Sequence, residues 1–443
     1  MTIPPEQESG AVKASPGFPV LFIEALAYCS DGVARHEGRV VFVPDALPGD
    51  TVRVRIVQDK GSYLRGEVLE RCDPSSDRVE PFCPLADRCG GCQWQELAYP
   101  VQLRWKRGIV EESLWRIGGF KDARVEECLP SPVDRGWRTV ARFPAATVNG
   151  RFTMGYYERR SHRIVDVVSC PLASDRVNRI GEAVRGLEGI ERADVREITI
   201  RASWNHPSAL VSVLLGRRAD MRACADALLG SGEGIEGVSL WHEDAHTGLR
   251  RLRVFGSPYR TESVNGRTFR IEERSFFQVN IPQAERLVRL AGEMLRLENG
   301  IALVDGYGGV GLFSLGFAPT AAEVRLFDIA EWAVDDAAHN ARALGFARFA
   351  VHTGDAKTAL AALGAAGRLI LDPPRTGLGL SAVEAICRFD APRIVYVSCN
   401  PTTLARDLRA FAEREYRVAR VTPVDMFPHT YHIETVAELF RGE

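Results

Sequence analysis

No apolar run in the 443-residue chain approaches the roughly 20 residues that a membrane-spanning helix needs. Membrane insertion through helices is therefore not expected. Met1 to Pro19 is polar and proline-rich, with no basic start leading into an apolar core. It reads as a flexible tail (1–16) rather than an export signal. Ten cysteines in a chain of this length, without an export signal, argue against a disulfide framework and for reduced thiols, metal ligands or catalysis in a cytoplasmic protein. An excess of one charge is also missing. The formal net charge of −2 does not announce a nucleic-acid binder, so a phosphate backbone would have to be met by local basic patches. There are no repeats and no low-complexity tract, and no protein partner is evident. What is there, 45% hydrophobic and 26% charged residues, describes a folded globular chain long enough for two or three domains.

The stretch Val395-Tyr-Val-Ser-Cys-Asn-Pro-Thr-Thr-Leu404 organises the rest. Ile394 to Val397 predicts a buried parallel strand, Ser398 to Pro401 a break, and Thr402 to Phe411 a helix with Pro401 near its first turn. Cys399 then sits where a strand ends and a helix begins. A free thiol titrates at about 8.5, and the positive end of a helix can lower that value and make the sulfur a nucleophile. A buried, inert cysteine would show the same local pattern, so the surroundings decide.

From Phe18 to Arg71, short alternating runs such as Val40-Val-Phe-Val43 and Val52-Arg-Val-Arg-Ile-Val57 are separated by turn residues at Asp31-Gly32, Pro48-Gly49-Asp50 and Lys60-Gly61. They predict a small β-barrel. Arg53, Arg55, Lys60, Arg65 and Tyr63 offer it a basic, aromatic face suited to RNA; a merely solvated strand face reads the same way. With Gly32, Gly38 and Leu47-Pro-Gly-Asp50, the segment resembles a TRAM domain, an OB-like RNA-binding module.

Next comes Cys83-Pro-Leu-Ala-Asp-Arg-Cys89-Gly-Gly-Cys92. Gly90 and Gly91 allow the tight backbone that points Cys89 and Cys92 at one centre. Cys170, in Ser169-Cys170-Pro171, is the candidate fourth ligand and Cys128 its competitor. Four thiolates so spaced suit an iron–sulfur cluster or a structural zinc, and the prolines after Cys83 and Cys170 lean toward the cluster. Further on, a helix is predicted over Val101 to Ile117, strands over Ser208 to Leu215 and Ile235 to Trp241, and a hairpin over Tyr259 to Ile271 turning at Asn265-Gly266. Arg135, Arg138 and Arg142, then Arg159, Arg160, His162 and Arg163, are clustered enough to meet phosphates; a solvated charged surface is the plainer alternative.

From Ile301 onward, strands alternate with helices in the manner of a parallel sheet. Ile301 to Asp305 leads into the loop Gly306-Tyr307-Gly308-Gly309-Val310-Gly311, and Val324 to Asp328 is the second strand. The loop matches GxGxxG, which alone is weak evidence for a dinucleotide. Asp305 at the strand tip would face a pyrophosphate with like charge, whereas the sulfonium and ammonium of S-adenosylmethionine would gain from it. That donor is favoured, with NAD(P) the alternative. Asp328 is placed for the ribose hydroxyls and Asp355 for the adenine side. Asp372-Pro-Pro-Arg375 follows a further strand and holds a carboxylate at the same edge. His432 to Phe440 reads as a last edge or antiparallel strand.

These motifs, taken with Ser275-Phe-Phe-Gln278-Val-Asn280 and Phe427-Pro-His429-Thr-Tyr-His432-Ile-Glu434, resemble those of the RNA 5-methyluridine (uracil-C5) methyltransferase family, in the branch with a TRAM domain and an iron–sulfur cluster that acts on 23S ribosomal RNA. The resemblance covers nearly the whole chain after about fifteen residues. It implies a multidomain α/β protein: an OB-like barrel over 17–74, a central α+β iron–sulfur domain over 75–275, and a Rossmann-like methyltransferase domain over 276–443. It implies a [4Fe-4S] cluster on Cys83, Cys89, Cys92 and Cys170. It also implies a cofactor contact from Gln278, which joins the candidate cofactor set of Asp305, Tyr307, Gly308, Gly311, Asp328, Asp355 and Asp372. Cys399 would be the nucleophile and Glu434 the base. One departure stands out: Gly308 occupies a position where the family usually has cysteine, from which a small change in loop packing is expected.

The chemistry follows from the ring. Uracil C5 is a poor nucleophile until a thiolate adds to C6 and makes an enolate; a base must then remove the C5 proton. Glu434 is the first candidate, with His429 and His432 behind it, and Asp372 is placed to hydrogen-bond the uracil edge. The substrate expected is RNA with its target base extruded, ribosomal RNA first and transfer RNA second. A rival from another class is an iron–sulfur RNA-binding protein whose transferase domain has decayed.

Overall fold

The computed structural model describes residues 18–244, 248–355 and 367–442; the tail expected over 1–16 lies outside them. Alternation in Thr51–Asp59 buries Val52 and Val54 and turns Arg53 and Arg55 outward, as a strand with one wet face requires. It belongs to a six-stranded sheet ordered Val20–Phe22, Thr51–Asp59, Tyr63–Asp73, Arg39–Val43, Gly32–His36, Ala25–Leu26. Leu21, Ile23, Val41, Val43 and Leu64 complete its core. The Leu47-Pro-Gly-Asp50 turn has a structural cause. Asp50 is fully buried, accepts the N–H groups of Leu47 and Ser75, and binds the Arg78 guanidinium, so it locks the barrel to the next segment.

The centre of the chain folds into a seven-stranded sheet ordered Gly248–Gly256, Ile235–Asp244, Ala209–Leu215, Val195–Ala202, Val140–Val148, Arg151–Tyr157, Ile164–Asp166. Its one parallel pair, Ala209–Leu215 with Ile235–Asp244, is joined through the helix Arg222–Leu229, as parallel pairing demands a crossover. The hairpin Tyr259–Val264/Arg267–Glu272 turns at Asn265 and Gly266 with φ of 48° and 74°, the left-handed pair that a tight hairpin needs.

The C-terminal sheet is ordered Phe349–Thr353, Val324–Asp328, Leu303–Gly306, Arg368–Leu371, Arg393–Ser398, Glu434–Phe440, Arg417–Val424. Its first five strands are parallel. Glu434–Phe440 runs antiparallel and is interior, not the edge; Arg417–Val424 takes the outside place, and single bridges from Val125 and Leu129 cover it. The helix Tyr99–Ser113 packs on this half of the molecule, sharing a core with Leu371, Tyr396, Leu404 and Leu408. Among the described residues no helix is long and apolar enough to cross a membrane.

Candidate active site

Winding reverses between Leu303–Gly306 and Arg368–Leu371, and ligands bind at the carboxyl ends of strands beside such a switch point. The sheet brings its functional candidates to that edge. Asp305 lies within the first strand, Asp328 ends the second, Asp372 follows Arg368–Leu371, Cys399 follows Arg393–Ser398, and Glu434 opens its own strand.

Three of the acids are held unlike surface carboxylates. Asp305 Oδ2 accepts the Ser314 N–H at 3.1 Å, while Oδ1, also buried, has no partner among the described residues. Burial first, then the Asp328 charge, pushes its pKa up to about 7. Burial and then Asp305 push Asp372 up to about 7. Burial and then Asp372 hold Glu434 well above the carboxylate range. Like charges so confined cannot all ionise without a cation.

The glycine loop supplies the remaining shape. Tyr307, Gly309 and Gly311 are left-handed, with φ of 65°, 54° and 89°. Asp328 pins the loop by accepting the Gly309 N–H on Oδ2 and the Ala330 N–H on Oδ1, both at 2.9 Å. A Cβ on Gly308 would lie 2.6 Å from Leu326 Cγ and 2.9 Å from Asp305 Cγ. Leu326 has therefore taken the room a cysteine would use, which accounts for the departure at this position. Gln278 is buried just before the helix Ile281–Leu295, Tyr307 is half-buried, and Asp355 is exposed beyond Phe349–Thr353.

Cys399 occupies the predicted junction. Asn400 caps the helix Pro401–Ala412 by accepting the Thr402 N–H, and its amide donates to the Arg375 carbonyl, fastening the Pro-Pro-Arg loop to the helix start. The expectation of a lowered thiol pKa is overturned. Burial first, then Glu434 and Asp372, raises it to about 12, against a downward pull from Arg375. The acids and the loss of solvent outweigh the helix end, because a lone dipole terminus contributes less than two nearby carboxylates in a poorly solvated site.

The loop carrying Glu434 is braced from the cysteine-bearing segment. His429, at φ 65°, gives its N–H to Gln102 Oε1 at 3.0 Å, and its carbonyl accepts the N–H groups of Gln93 and Trp94. Its ring is taken up by the Gln102 amide at 3.1 Å and by Phe82. Burial lowers the His432 pKa to about 4, with Arg375, Lys106 and Arg138 adding to the drop. Burial lowers the His429 pKa as well, whereas it raises that of Glu434.

Cys83, Cys89, Cys92 and Cys170 line one pocket with Leu85, Arg138 and Tyr156. Cys128 lies elsewhere, near Lys106 and Asp425. Among the described residues no three His, Cys, Asp or Glu side chains converge tightly enough to hold a single metal ion. The basic patches are less free than the sequence suggests. Arg53, Arg55 and Arg65 pair with Glu70, Glu67 and Asp31. Arg159 and Arg160 both reach Asp45, Arg142 pairs with Glu197 and Arg163 with Glu158, and half-buried Arg138 donates to the Tyr156 hydroxyl. A groove of about 750 Å³ nonetheless runs between barrel and central sheet, lined by Asp45, Arg159, Arg160, His162 and Tyr431. Composition concealed one residue of the site altogether: Tyr28 of the barrel reaches the Cys399 carbonyl at 3.4 Å. No local motif marks it.

Residues 363–441 match the tRNA (uracil-5-)-methyltransferase family and residues 20–69 the TRAM domain. An uncharacterised RNA methyltransferase of Thermosynechococcus vestitus is 35% identical over 436 residues, covering 95% of this chain and 97% of the relative. The chain belongs to the RNA uracil-5-methyltransferase family. A second relative, an uncharacterised RNA methyltransferase of Halalkalibacterium halodurans, is 33% identical across 94% of this chain and 95% of its own. The crystal structure of the Pyrococcus abyssi tRNA (uracil-54, C5)-methyltransferase in complex with S-adenosyl-L-homocysteine superposes with a TM-score of 0.74 at 26% identity, covering 95% of this chain and 100% of that one. This family member is thus a SAM-dependent RNA methyltransferase of mixed α/β fold with an N-terminal TRAM domain.

Proposed function

We propose that this enzyme methylates C5 of a uridine through a covalent adduct between Cys399 and C6, in ribosomal RNA as the first reading. The observation that carries the mechanism is the meeting of one thiol with Glu434, Asp372 and Arg375 at the end of Arg393–Ser398. The residues around the glycine loop fit S-adenosylmethionine. An orphaned buried carboxylate oxygen on Asp305 and acids raised by confinement suit a cationic ligand and disfavour a phosphate. Asp305, Asp372 and Gln278 would hold the methionyl part, Asp328 the ribose and Asp355 the adenine side, with Tyr307, Gly308 and Gly311 shaping the loop between. The bound cofactor supplies an electrophilic methyl group.

The chain's own residues do the rest. Cys399 gives its proton to the acid pair, which passes it to solvent, and the sulfur adds to C6 while electrons move onto O4. Once C5 is methylated, Glu434 takes the C5 proton, the C5–C6 double bond returns and the sulfur leaves. Asp372 holds the uracil edge. In this reading residues 17–74 and the groove beside them grip RNA, 75–275 carry the cysteine site, and 276–443 perform the chemistry.

The four pocket cysteines fit a [4Fe-4S] cluster, with a structural zinc the alternative centre. Cys83, Cys89, Cys92 and Cys170 line one pocket, and four thiolates are the ligand set of either centre. An iron–sulfur cluster spreads its ligands around a larger body. The cluster's part would be to hold the 83–92 loop to Cys170. Transfer RNA is the second reading, favoured by the name of the superposable Pyrococcus abyssi enzyme. Mapping 5-methyluridine in ribosomal and transfer RNA fractions, with and without the gene, tests both. Loss from ribosomal RNA supports the first, loss from transfer RNA the second, and no loss from either overturns both.

A further inference from the structure

Arg375 differs from most arginines of this molecule in having no carboxylate within ion-pairing distance among the described residues; its side chain meets two phenols instead. Its Nη2 donates to Tyr28 Oη at 3.4 Å, and the Tyr431 phenol lies close by. Neutral hydroxyls orient a guanidinium without cancelling its charge, which a carboxylate would do. That charge is the one that opposes Glu434 and Asp372 at the Cys399 thiol.

Tyr28 comes from the barrel, 371 residues away in sequence, and its own hydroxyl donates to the Cys399 carbonyl at 3.4 Å. The turn that aims it is built at a cost. Cys29 and Ser30, neither of them glycine, are consecutively left-handed with φ of 84° and 78°, conformations that persist only where the surroundings impose them. Bonds from the Ala27 N–H to the Asp31 carbonyl at 2.8 Å and from the Ser30 N–H to the Ala27 carbonyl at 3.0 Å close the turn. The Tyr28 ring meets Tyr431 edge to face at 5.9 Å, so the two phenols hold each other beside the guanidinium.

We propose that Tyr28 is a positioning residue for methyl transfer: the TRAM barrel reaches across the groove to fix the Arg375 guanidinium beside Cys399, so that the barrel completes the active site as well as gripping RNA. The proposal rests on the reading of Cys399 as nucleophile. The charged and titratable groups facing the thiol are Glu434 from its strand, Asp372 and Arg375 from the loop after Arg368–Leu371, and Tyr28 with Cys29 beside it from the barrel.

The test uses the full chain as wild type, Tyr28→Phe, Arg375→Ala and the double variant. The rate of Cys399 alkylation by iodoacetamide is followed by peptide mass spectrometry from pH ~7 to ~10, a window around the ordinary thiol range. In parallel, kcat and KM are measured with an RNA substrate. Tyr28→Phe keeps the ring and removes only the hydroxyl. It is expected to slow alkylation and lower kcat by about threefold to tenfold, the worth of one modest hydrogen bond, with KM for RNA and affinity for S-adenosylhomocysteine unchanged. The substitution should add nothing in the Arg375→Ala background. Wild-type kcat and alkylation in Tyr28→Phe would overturn the proposal. So would a loss confined to KM, which would make Tyr28 an RNA contact only, or an equal loss in the Arg375→Ala background. Failure of the underlying reading shows separately, as methylation by Cys399→Ala. A variant that fails to fold is recognised by lost S-adenosylhomocysteine binding, and Tyr431→Phe, which removes the other phenol from Arg375, then carries the same prediction.

Discussion

The molecule holds cysteine in two contrasting settings. Cys399 faces two carboxylates and one arginine at the edge of a parallel sheet. The group of four at Cys83, Cys89, Cys92 and Cys170 sits among Leu85, Val167, Leu172 and Tyr156, with Arg138 the charged side chain in the lining. Burial raises the pKa in both places, to about 12 at Cys399 and about 11 at Cys92, so a raised thiol by itself does not separate a nucleophile from a ligand. The company does. Proton acceptors beside a single thiol allow it to give up its proton when substrate arrives, whereas several thiols in an apolar wall beside a cation invite a shared centre.

Substitutions can break this contrast. The largest effect is expected from Cys399→Ala, which should abolish methyl transfer to RNA while S-adenosylhomocysteine binding by calorimetry stays near wild type; comparable activity would remove the nucleophile assignment. Glu434→Gln should slow turnover by about a hundredfold or more, in the range of a lost general base, and trap the adduct as a slow-migrating band on a denaturing RNA gel. A variant as slow but without the band would move the base elsewhere.

Cys170→Ser should act on the other site alone. Purified without oxygen, the wild-type chain is expected to carry about four irons and to absorb near ~400 nm. The variant should lose both and melt earlier, yet still bind S-adenosylhomocysteine. Stoichiometric zinc in the wild type would replace the cluster with the alternative centre.

The smallest effect concerns protons. In the ligand-free protein Asp305 and Asp372 titrate at about 7, against 3.8 for an ordinary aspartate. Folded-state pKa values raised in this way favour the folded chain below the unfolded value, and that contribution is lost as pH rises through about 7. A cation restores the carboxylates to their charged form. S-Adenosylmethionine binding near pH ~7 should therefore release on the order of one proton, read as a buffer-dependent calorimetric enthalpy. The thermal stabilisation it gives should be larger at pH ~8 than at pH ~6. No proton release would mean that the acids lie outside the cofactor's reach.

Much of the architecture was legible because it is written locally. The run Ile394 to Val397 followed by Ser398 to Pro401 predicts a strand, a break and a helix start, and those elements form as Arg393–Ser398 and Pro401–Ala412. The Asn265-Gly266 turn and the glycine loop are equally explicit, since only a few residue types tolerate left-handed backbone. The thiol's acidity was not legible. A strand–helix junction suggests a lowered value, but burial, and after it Glu434 and Asp372 from other parts of the sheet, raises it instead. The choice of Cys170 over Cys128 likewise depended on how residues 92–170 fold back, which spacing leaves open.

By itself the sequence determined the elements, their order and the residue types able to add to a pyrimidine, because propensity, capping and turn chemistry act over a few residues. Tertiary structure alone decided which charges surround each sulfur, that the arginines of the basic patches are largely paired, and that a barrel tyrosine stands beside the thiol. Electrostatic interactions run through space, and distance along the chain does not predict them.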